Sequence, residues 1–468
     1  MKYLLLFTFV FRFHHAVSQM PKPTPQQLAW HEMEFYLFVH FGPNTFTDKE
    51  WGHGNEPADA FNPEQLDCRQ WARVAKQAGA KGIIITAKHH DGFCLWPSKY
   101  SKHTVRESKW KNGKGDVLNE LSQACKEYGL KFGVYISPWD RNHPDYGTEK
   151  YNDVFVNMMK EIFQNYGPVW ELWWDGANGE GPNGKKQVYD WDRFKKTVKE
   201  IAPATLVFSD VGPHIRWVGN EKGIAGETNW NTLDTVGFSP GLDAPPVDTL
   251  TTGNINGKSW IPAECDVSIR AGWFYHAGED DKVKTPEQLF DLYLKSVGRG
   301  ANLLLNVPPD RRGLIHEKDS AALIGFKKLR DESFKNNIAR EGRGYSIAHN
   351  KLRPAPALND GKKETKAVVF AAGLQSLGIE FNNPRRINCI VLREDLTSGQ
   401  HCAAFTLYLS NDVQVLKEIK GTTIGRKRII TFPAMEVKKL ILNIENQKSA
   451  TRIAEIEAYR IDEKRTEN

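Results

Sequence analysis

Residues 62–93 read NPEQLDCRQWARVAKQAGAKGIIITAKHHDGF and show the pattern that decides the fold. Asn62-Pro63-Glu64 combines a capping side chain, a proline at the first helical position and an acid in the first turn. It therefore predicts a helix, which Gly79 ends. The apolar run 82–87 then predicts a buried strand. Two histidines, His89-His90, follow that strand directly, so the unit is a helix, a buried strand and a polar exit.

The same alternation repeats from residue 35 to about residue 310. Further helical patterns cover 116–128, ending at Gly129, and 285–298. Strands are predicted at 35–41, 82–87, 132–137, 169–174, 206–209, 223–226, 260–263 and 303–307. About eight strand–helix repeats in roughly 300 residues predict a (β/α)8 TIM-like barrel. Residues 211–222 leave no room for a full helix, so we expect the barrel to be irregular there.

A doubly wound open sheet is the alternative architecture for such an alternation. Eight similar strands exceed the usual number in that fold, and the chain has no Gly-x-Gly-x-x-Gly turn. The barrel is therefore favoured.

After a predicted helix at 317–335 the sequence changes in character. Short strands are predicted at 367–370, 387–392, 404–409, 428–432, 439–444 and 453–459, separated by Gly, Asn and Lys turns. All 14 tryptophans precede residue 341, and residues 341–468 hold 21 basic and 15 acidic side chains. We predict a catalytic barrel over 19–340 and a C-terminal all-β sandwich over 341–468. The absence of tryptophan makes a sugar-binding role for the sandwich less favoured than packing against the barrel.

Residues 1–18 have the pattern of a signal peptide. Lys2 supplies the positive start, 3–11 an apolar run and Ala16-Val17-Ser18 a small-residue cleavage site, so we expect export to the periplasm or the medium. A membrane span needs roughly 20 apolar residues; this run is too short, and no later segment approaches that length. The net charge of +6 contains no basic run that would indicate nucleic-acid binding.

Six cysteines in so long a chain do not form a disulfide framework. Cys68, Cys94 and Cys125 lie in apolar patterns and are expected to be buried thiols. Cys389 and Cys402 could form a disulfide, and the sequence does not decide whether they do.

Chemistry in a (β/α)8 barrel takes place at the C-terminal ends of the strands. Histidines, carboxylates and other polar groups are concentrated at the eight predicted strand exits, which indicates an active site there. These exit residues are His40, His89, His90, Asp91, Trp139, Asp140, Asp175, Asp210, Glu227, Glu264 and Asn306.

Asp175 is the strongest candidate, because it directly follows an apolar strand rich in tryptophan. It is either a turn-forming cap with Gly176 or a nucleophile beside aromatic walls that hold a sugar ring. Trp173 shares its sheet face and can line the same pocket. Glycoside hydrolysis needs a second carboxyl group. The candidates for this second group are Glu221, Glu227 and Glu264. Glu221 lies in a glycine-bearing loop that could bring an acid over the mouth of the barrel. The alternative is that Glu221 is an ordinary exposed loop glutamate.

The pair His89-His90 raises the question of a metal. Adjacent strand residues point to opposite faces, and the spacing of known metal motifs is missing, so we expect neither metal nor cofactor. Neutral imidazoles that hydrogen-bond sugar hydroxyls fit better, and one of the pair could be structural.

The motifs together resemble the α-L-fucosidases of glycoside hydrolase family 29. The resemblance covers roughly residues 20–335. The motifs are His40-Phe41-Gly42, Glu50-Trp51, Lys88-His89-His90-Asp91-Gly92-Phe93, Gly133-Val134-Tyr135-Ile136-Ser137, Trp173-Trp174-Asp175-Gly176 and Asn302-Leu303-Leu304-Leu305-Asn306-Val307. The family's architecture is an irregular barrel followed by a β-sandwich, and its mechanism is retaining, has two steps and needs no cofactor.

The resemblance also implies roles for individual residues. Asp175 matches the nucleophile, and Arg216-Trp-Val-Gly-Asn-Glu221-x-Gly is similar to the branch that prefers α-1,3/1,4-linked fucose, in which Glu221 is the acid/base. Glu264 is the second candidate for the acid/base role. The expected substrate-binding residues are His40, Glu50, Trp51, His89, His90, Tyr135, Trp139, Trp173, Arg216, Trp217 and Glu264. The broad-specificity branch carries Glu-Trp-Tyr where this chain has Glu50-Trp51-Gly52, which agrees with the narrower branch.

We therefore predict a retaining exo-α-L-fucosidase that acts on fucosylated oligosaccharides or glycoconjugates. A retaining barrel hydrolase for another sugar, an inactive carbohydrate-binding relative and a metal-dependent hydrolase are the alternatives. The sequence does not indicate the oligomeric state.

Overall fold

The computed structural model describes residues 20–241, 243–362, 365 and 368–463. The predicted signal peptide at 1–18 lies outside the described residues. Within those residues, every helix is too short or too polar to cross a lipid bilayer.

Eight parallel strands close into a barrel, as predicted. They are β1 (Phe35–Val39), β2 (Gly82–Lys88), β3 (Lys131–Ile136), β4 (Glu171–Trp173), β5 (Leu206–Ser209), β6 (Ile215–Trp217), β7 (Ala263–Ser268) and β8 (Asn302–Asn306). Each strand pairs with its neighbour in chain order, and β8 closes the ring on β1, where Leu303 lies opposite Phe35. The strand exits therefore meet at one end of the barrel.

Helices surround the barrel. They are α1 (Pro25–His31), α2 (Pro43–Thr47), α3 (Cys68–Gln77), α4 (Val117–Tyr128), α5 (Lys150–Asn165), α6 (Trp191–Ile201), α7 (Val247–Thr252), α8 (Pro286–Lys295) and α9 (Glu317–Ser333). The prediction for α4 is confirmed: Asp116 caps it and Gly129 ends it in the left-handed conformation. The predicted start of α3 at residue 62 was wrong, because Asp67 provides the cap by accepting a hydrogen bond from the Arg69 amide.

Two predicted barrel strands, 223–226 and 260–263, were wrong. β6 follows β5 without an intervening helix, inside the segment that was expected to be irregular. Trp260 belongs to a short antiparallel pair with Thr232, and β7 begins only at Ala263. The sequence of β7, AECDVS, mixes polar and apolar residues. Because strands were predicted from apolar runs, the predicted strand 260–263 ended at the residue where β7 begins.

Two apolar layers stabilise the barrel. The outer layer packs strands against helices, with Leu37, Ile83 and Phe155 fully buried in it. The inner layer fills the barrel and is aromatic, with Phe38 and Trp173 among its members. Buried aromatic side chains of this size contribute about 1.5–3 kcal/mol each, so the inner layer is a rigid platform below the strand exits.

The C-terminal domain is all-β, as predicted, and its strands pair antiparallel. Its strands are β9 (Arg343–Ala348), β10 (Lys351–Pro354), β11 (Val368–Phe370), β12 (Leu374–Glu394), β13 (Cys402–Ser410), β14 (Val415–Gly421), β15 (Arg428–Gln447) and β16 (Thr451–Tyr459). They form one sheet in the order β10-β9-β12-β15-β13-β14, and β16 pairs with β12 and β11. The two strands predicted at 428–432 and 439–444 are halves of β15. One apolar core, which includes Leu377, Leu407 and Leu442, lies under this sheet.

All six cysteines are buried free thiols, so Cys389 and Cys402 do not form a disulfide. Along β15, Cys389 lies opposite Thr431 and Cys402 lies opposite Gln447, so the two cysteines face distant positions of that strand and are not neighbours across the sheet. A disulfide needs Cα atoms closer than about 7 Å.

Candidate active site

A cavity of about 190 Å³ opens at the strand exits of the barrel. This is smaller than the roughly 300–1,000 Å³ of drug-sized ligand sites, which suits one sugar ring. The lining residues are Phe38, His40, Glu50, Trp51, His89, His90, Tyr135, Trp173, Asp175, Ala177, Glu221, Asp266 and Trp273. Both predicted catalytic carboxylates, Asp175 and Glu221, therefore face the same space.

Asp175 sits two residues beyond the end of β4. Its Oδ1 accepts the Ala177 amide at 2.7 Å, which is the turn-forming contact, while Oδ2 accepts the Tyr135 hydroxyl at 3.0 Å. His90 Nε2 lies 3.8 Å from the same Oδ2. The side chain keeps 25% of its surface exposed, toward the cavity. One carboxylate thus both forms the turn and presents an oxygen to a ligand.

Three histidines form one wall. Burial lowers the pKa of His40 to about 3 and that of His90 to about 4, and it holds the pKa of His89 well below its usual value. The imidazoles are therefore neutral, each with one donor and one acceptor nitrogen. The expectation that His89 and His90 point to opposite faces was wrong, because β2 ends at Lys88 and strand alternation stops there.

Lys88 supports this wall from below. Its ammonium group pairs with the Asp140 carboxylate at 3.2 Å, and both side chains are almost completely buried. His90 Nδ1 lies 2.8 Å from the Ser137 hydroxyl. These contacts fix the exit of β2 and the orientation of the His90 ring.

Glu221 approaches the cavity from the loop after β6. Asn220 shapes that loop: its Oδ1 accepts the Lys222 amide at 3.1 Å, and its Nδ2 donates to the Ile224 carbonyl at 2.9 Å. The Glu221 side chain is exposed, and its Oε2 accepts the Trp273 indole N–H at 3.3 Å. An exposed carboxyl at the cavity edge can exchange protons with water and with a leaving group.

Glu50 lines the cavity, but protein groups already occupy both of its carboxylate oxygens. Oε2 accepts the Trp273 amide at 2.8 Å, and Oε1 accepts the Phe274 amide at 3.1 Å. Trp51 is 55% exposed, and its ring lies edge-on to His90 and Trp139 at centroid distances of 5.4 and 5.5 Å. Trp51 therefore offers an apolar face at the mouth of the cavity.

Two predicted binding residues, Trp139 and Trp217, lie behind the lining instead of in it. Trp139 packs on His90 at a centroid distance of 4.8 Å and donates to the Glu180 carbonyl. Trp217 donates to Asp266 Oδ1 at 2.9 Å. Each supports a side chain that does reach the cavity.

Arg216 does not line the cavity, contrary to the prediction. Its guanidinium is completely buried and binds the carbonyls of Leu250, Ile261 and Trp230, and the Asn229 side chain. Burial lowers its pKa to about 9. Ile215 and Trp217 pack with the inner layer, so strand alternation turns Arg216 outward, where it holds the segment 229–261 against the barrel.

Glu264 also lies away from the cavity, contrary to the prediction. It is at the start of β7, at the floor of the barrel, where it accepts the Trp173 indole N–H at 2.9 Å and the Tyr36 hydroxyl. Glu171 on β4 hydrogen-bonds to it, and burial of the two carboxyls raises the pKa of both. The pair therefore holds a proton at neutral pH and is sealed from any sugar.

Glu227 is excluded as the second catalytic carboxyl. It forms ion pairs with Arg299 and with Arg428 of the C-terminal domain. Larger cavities of about 530 and 490 Å³ also lie next to that domain, away from the strand exits. Both of these cavities are lined by charged side chains that already form ion pairs with each other, such as Arg393 with Glu457.

Sequence reasoning missed Phe38, Asp266 and Trp273. Phe38 and Asp266 lie on the lumen face, two residues before His40 and two after Glu264, so strand alternation points to both once the strand ends are known. Trp273 lies in the loop after β7, and no local signal marks it. Within the described ranges, no group of three or more His, Cys, Asp or Glu side chains is arranged to hold a metal ion.

Comparison with known proteins gives the family. The α-L-fucosidase family model matches residues 12–328. Alpha-L-fucosidase 1 of Arabidopsis thaliana is 38% identical over 454 residues, which cover 95% of this chain and 88% of that protein. The crystal structure of a glycoside hydrolase 29 family member from an unknown rumen bacterium superposes with a TM-score of 0.84 at 41% identity, covering 95% of this chain and 78% of the other.

A Ruminococcus gnavus GH29 fucosidase in complex with fucose superposes with a TM-score of 0.83 at 29% identity, covering 96% of each chain. The matches extend over the barrel and the C-terminal domain, and the family model alone spans well over half of the chain. The chain therefore belongs to the α-L-fucosidases of glycoside hydrolase family 29 and is a glycoside hydrolase.

Proposed function

We propose that this α-L-fucosidase is a retaining exo-enzyme that removes terminal α-1,3- or α-1,4-linked L-fucose from branched oligosaccharides or glycoconjugates. One observation carries the proposal. Asp175 and Glu221 line the same cavity, which is sized for a single ring. A closed inner end of this kind admits only a terminal sugar, and the exposed mouth leaves room for the rest of the glycan.

In the first step, ionised Asp175 attacks the anomeric carbon and forms a covalent fucosyl-enzyme. Protonated Glu221 donates its proton to the leaving oxygen as the glycosidic bond breaks. The Tyr135 hydroxyl and the Ala177 amide hold the Asp175 carboxylate in place, so little reorganisation is needed during attack.

In the second step, Glu221 removes a proton from the incoming water, which attacks the anomeric carbon and releases Asp175. Two displacements leave the configuration of the released fucose unchanged. The neutral rings of His40, His89 and His90 supply hydrogen bonds to sugar hydroxyls without adding positive charge beside the oxocarbenium-like centre.

Gly52 supports the narrower linkage preference. A Cβ atom at this position would lie 2.7 Å from Asn44 Oδ1 and 2.8 Å from Asp91 Cβ. The tyrosine of the broad-specificity pattern would therefore need local rearrangement. The motif that begins at Arg216 and contains Glu221 agrees with the same branch.

A linkage panel tests the proposal. The purified protein is incubated with α-1,2-, α-1,3-, α-1,4- and α-1,6-fucosylated oligosaccharides, and the first fucose released is followed by proton NMR. We expect rapid release from the α-1,3/1,4 compounds with the α-anomer appearing first. Initial appearance of the β-anomer would exclude the retaining mechanism, and equal rates on all four linkages would exclude the preference.

We also propose export after removal of residues 1–18, with domains over 19–340 and 341–468. The mass of the mature protein from the native host measures the cleavage site. Retention of residues 1–18 in that mass would contradict this part of the proposal.

A further inference from the structure

The loop after β7, residues 269–276, carries a side chain that contacts both the cavity and Glu221. The Trp273 ring packs against His40 at a centroid distance of 5.1 Å, and its indole N–H donates to Glu221 Oε2 at 3.3 Å. Whatever holds Trp273 therefore also orients the acid/base that we propose, and the inference below rests on that proposed function.

The start of this loop is firmly anchored. Arg270 is buried and binds Asp319 at 2.8 Å and Asp280 at 2.9 Å. Beyond Arg270, the loop is held by Asn306 Nδ2, which donates to the Trp273 carbonyl at 2.7 Å, and by the two amides that donate to Glu50. Glu50 is therefore the acceptor on which the tip of the loop depends.

His276 ends the loop between two carboxylates. Its Nε2 lies 2.7 Å from Glu50 Oε1, and its Nδ1 lies 2.9 Å from Asp48 Oδ1. A neutral imidazole has only one N–H, so its other nitrogen would face a carboxylate oxygen with no proton between them. Both contacts are satisfied only when the ring carries two protons.

Other charged groups face this cluster. Arg311 Nη2, from the segment after β8, lies 3.5 Å from Asp48 Oδ1, and Lys49 is turned away toward Glu56. On the return of the loop, Glu279 accepts the Gly272 amide at 3.1 Å. The two carboxylates that touch His276 are the nearest of these charges.

We infer that His276, as an imidazolium, is a positioning residue: it fixes the Glu50 carboxylate, which holds the Trp273 loop and so orients Glu221 toward the leaving oxygen. Partial burial lowers the pKa of His276, but hydrogen bonds to Asp48 and Glu50 outweigh it, so its pKa is raised. A raised pKa means that the charge persists to a higher pH than on an ordinary histidine and is lost as the pH rises further. The contact by which His276 fixes Glu50 therefore weakens at alkaline pH.

Two variants separate charge from shape. His276→Gln keeps a donor but no charge, and His276→Lys keeps the charge. kcat/KM is measured from pH 5 to 9.5 on an α-1,3/1,4-fucosylated trisaccharide and on an aryl fucoside with a good leaving group. For H276Q we expect a loss of about 10- to 100-fold on the trisaccharide at pH 7 and a smaller loss on the aryl fucoside. H276K should regain part of the loss and keep its activity further into the alkaline range than the wild type.

His316 provides the matched control. Its side chain is 18% exposed against 17% for His276, and its carboxylate neighbours lie at 3.6 Å, but it does not contact Glu50. His316 lies beside the Arg270–Asp280 pair, so H316Q tests the loss of a histidine next to the anchor of the loop. Its kcat/KM on both substrates should fall by less than about twofold, and the alkaline limb of its pH profile should not move.

Asp48→Asn keeps the proposal testable if the His276 variants fail to fold. Asp48 is 59% exposed and its backbone is left-handed, a conformation that asparagine tolerates. D48N should move the alkaline limb to lower pH by about 0.5 to 1 unit. An unchanged limb in D48N, or equal losses on both substrates in H276Q and H276K, would overturn the inference. Failure of Glu221 itself is detected independently, by the absence of azide rescue in E221A.

Discussion

The barrel contains two pairs of carboxyl groups that lie at different depths. At the mouth, Asp175 and Glu221 line the cavity, with Asp175 25% exposed. At the floor, Glu171 and Glu264 are completely buried. Glu171 and Asp175 are four residues apart on the same chain segment, so neither residue type nor sequence neighbourhood separates their roles.

The difference lies in their partners. The floor carboxyls bind Trp30, Tyr36 and Trp173, all protein donors, and burial raises the pKa of both. The mouth carboxyls keep oxygens directed into the cavity. A carboxyl in this barrel is thus structural when it is sealed among protein groups and available for chemistry when part of its surface faces the cavity.

The largest expected effect is loss of the nucleophile. Asp175→Ala should lower fucose release from a fucosylated oligosaccharide by about 10⁴-fold or more, with the unfolding temperature nearly unchanged. Asp210, a carboxyl close to Gly176 that does not line the cavity, is the matched control, and D210N should lose less than about tenfold. A near-wild-type rate in D175A would end the assignment.

Removing the second mouth carboxyl should have the next largest effect. Glu221→Ala should lose about 10²- to 10⁴-fold on an oligosaccharide and less on an aryl fucoside with a good leaving group. Azide should partly restore the rate and yield fucosyl azide. In contrast, Glu264→Ala should show no azide rescue and a free energy of unfolding lower by about 2–5 kcal/mol, because two buried donors lose their acceptor. Azide rescue of E264A would assign the acid/base role to Glu264 instead of Glu221.

The floor pair should make stability depend on pH. The pKa of both Glu171 and Glu264 is raised in the folded state, so the folded chain holds more protons than the unfolded chain above the usual glutamate pKa of about 4.3. Stability should therefore fall as the pH rises from that value through the folded pKa values. Glu171→Gln, which keeps a neutral donor, should flatten this fall in denaturant titrations between pH 4.5 and 9. An equally steep fall in E171Q would mean that the pair does not share a proton.

The smallest effects come from matched tyrosines. Tyr135→Phe removes the hydroxyl that holds Asp175 and should lower kcat about 5- to 10-fold. Tyr36→Phe removes the corresponding hydroxyl on Glu264 and should lower the free energy of unfolding by about 1–2 kcal/mol, with kcat/KM changed less than about twofold. Steady-state kinetics and thermal unfolding on the same two variants measure both predictions.

Most of the barrel could be predicted because its signals are local. Asp116 and Gly129 delimit α4, and strands such as β2 and β5 are apolar runs of the expected length. β7 could not be placed in this way, because its inward side chains are Glu264 and Asp266 and its sequence lacks an apolar run. That single misplacement put Glu264 at the strand exit instead of at the floor.

The residues of the candidate site were likewise predicted where their signals are local and misassigned where they are not. His40, His89 and Asp175 were predicted because each follows its own strand, and strand direction alone brings such residues to one end. Arg216 was misassigned because its partners, Leu250 and Ile261, are far away in the chain. The engagement of Glu50 with the Trp273 loop likewise joins residues more than 220 positions apart.

The sequence by itself determined which residues leave the strands and on which end of the barrel they gather, because strand direction and side-chain alternation are local properties. Only the tertiary structure decided how deep each carboxyl lies and which protein groups bind it. Depth depends on the register of strands that are paired around a closed ring, and ring closure joins segments that no local pattern connects.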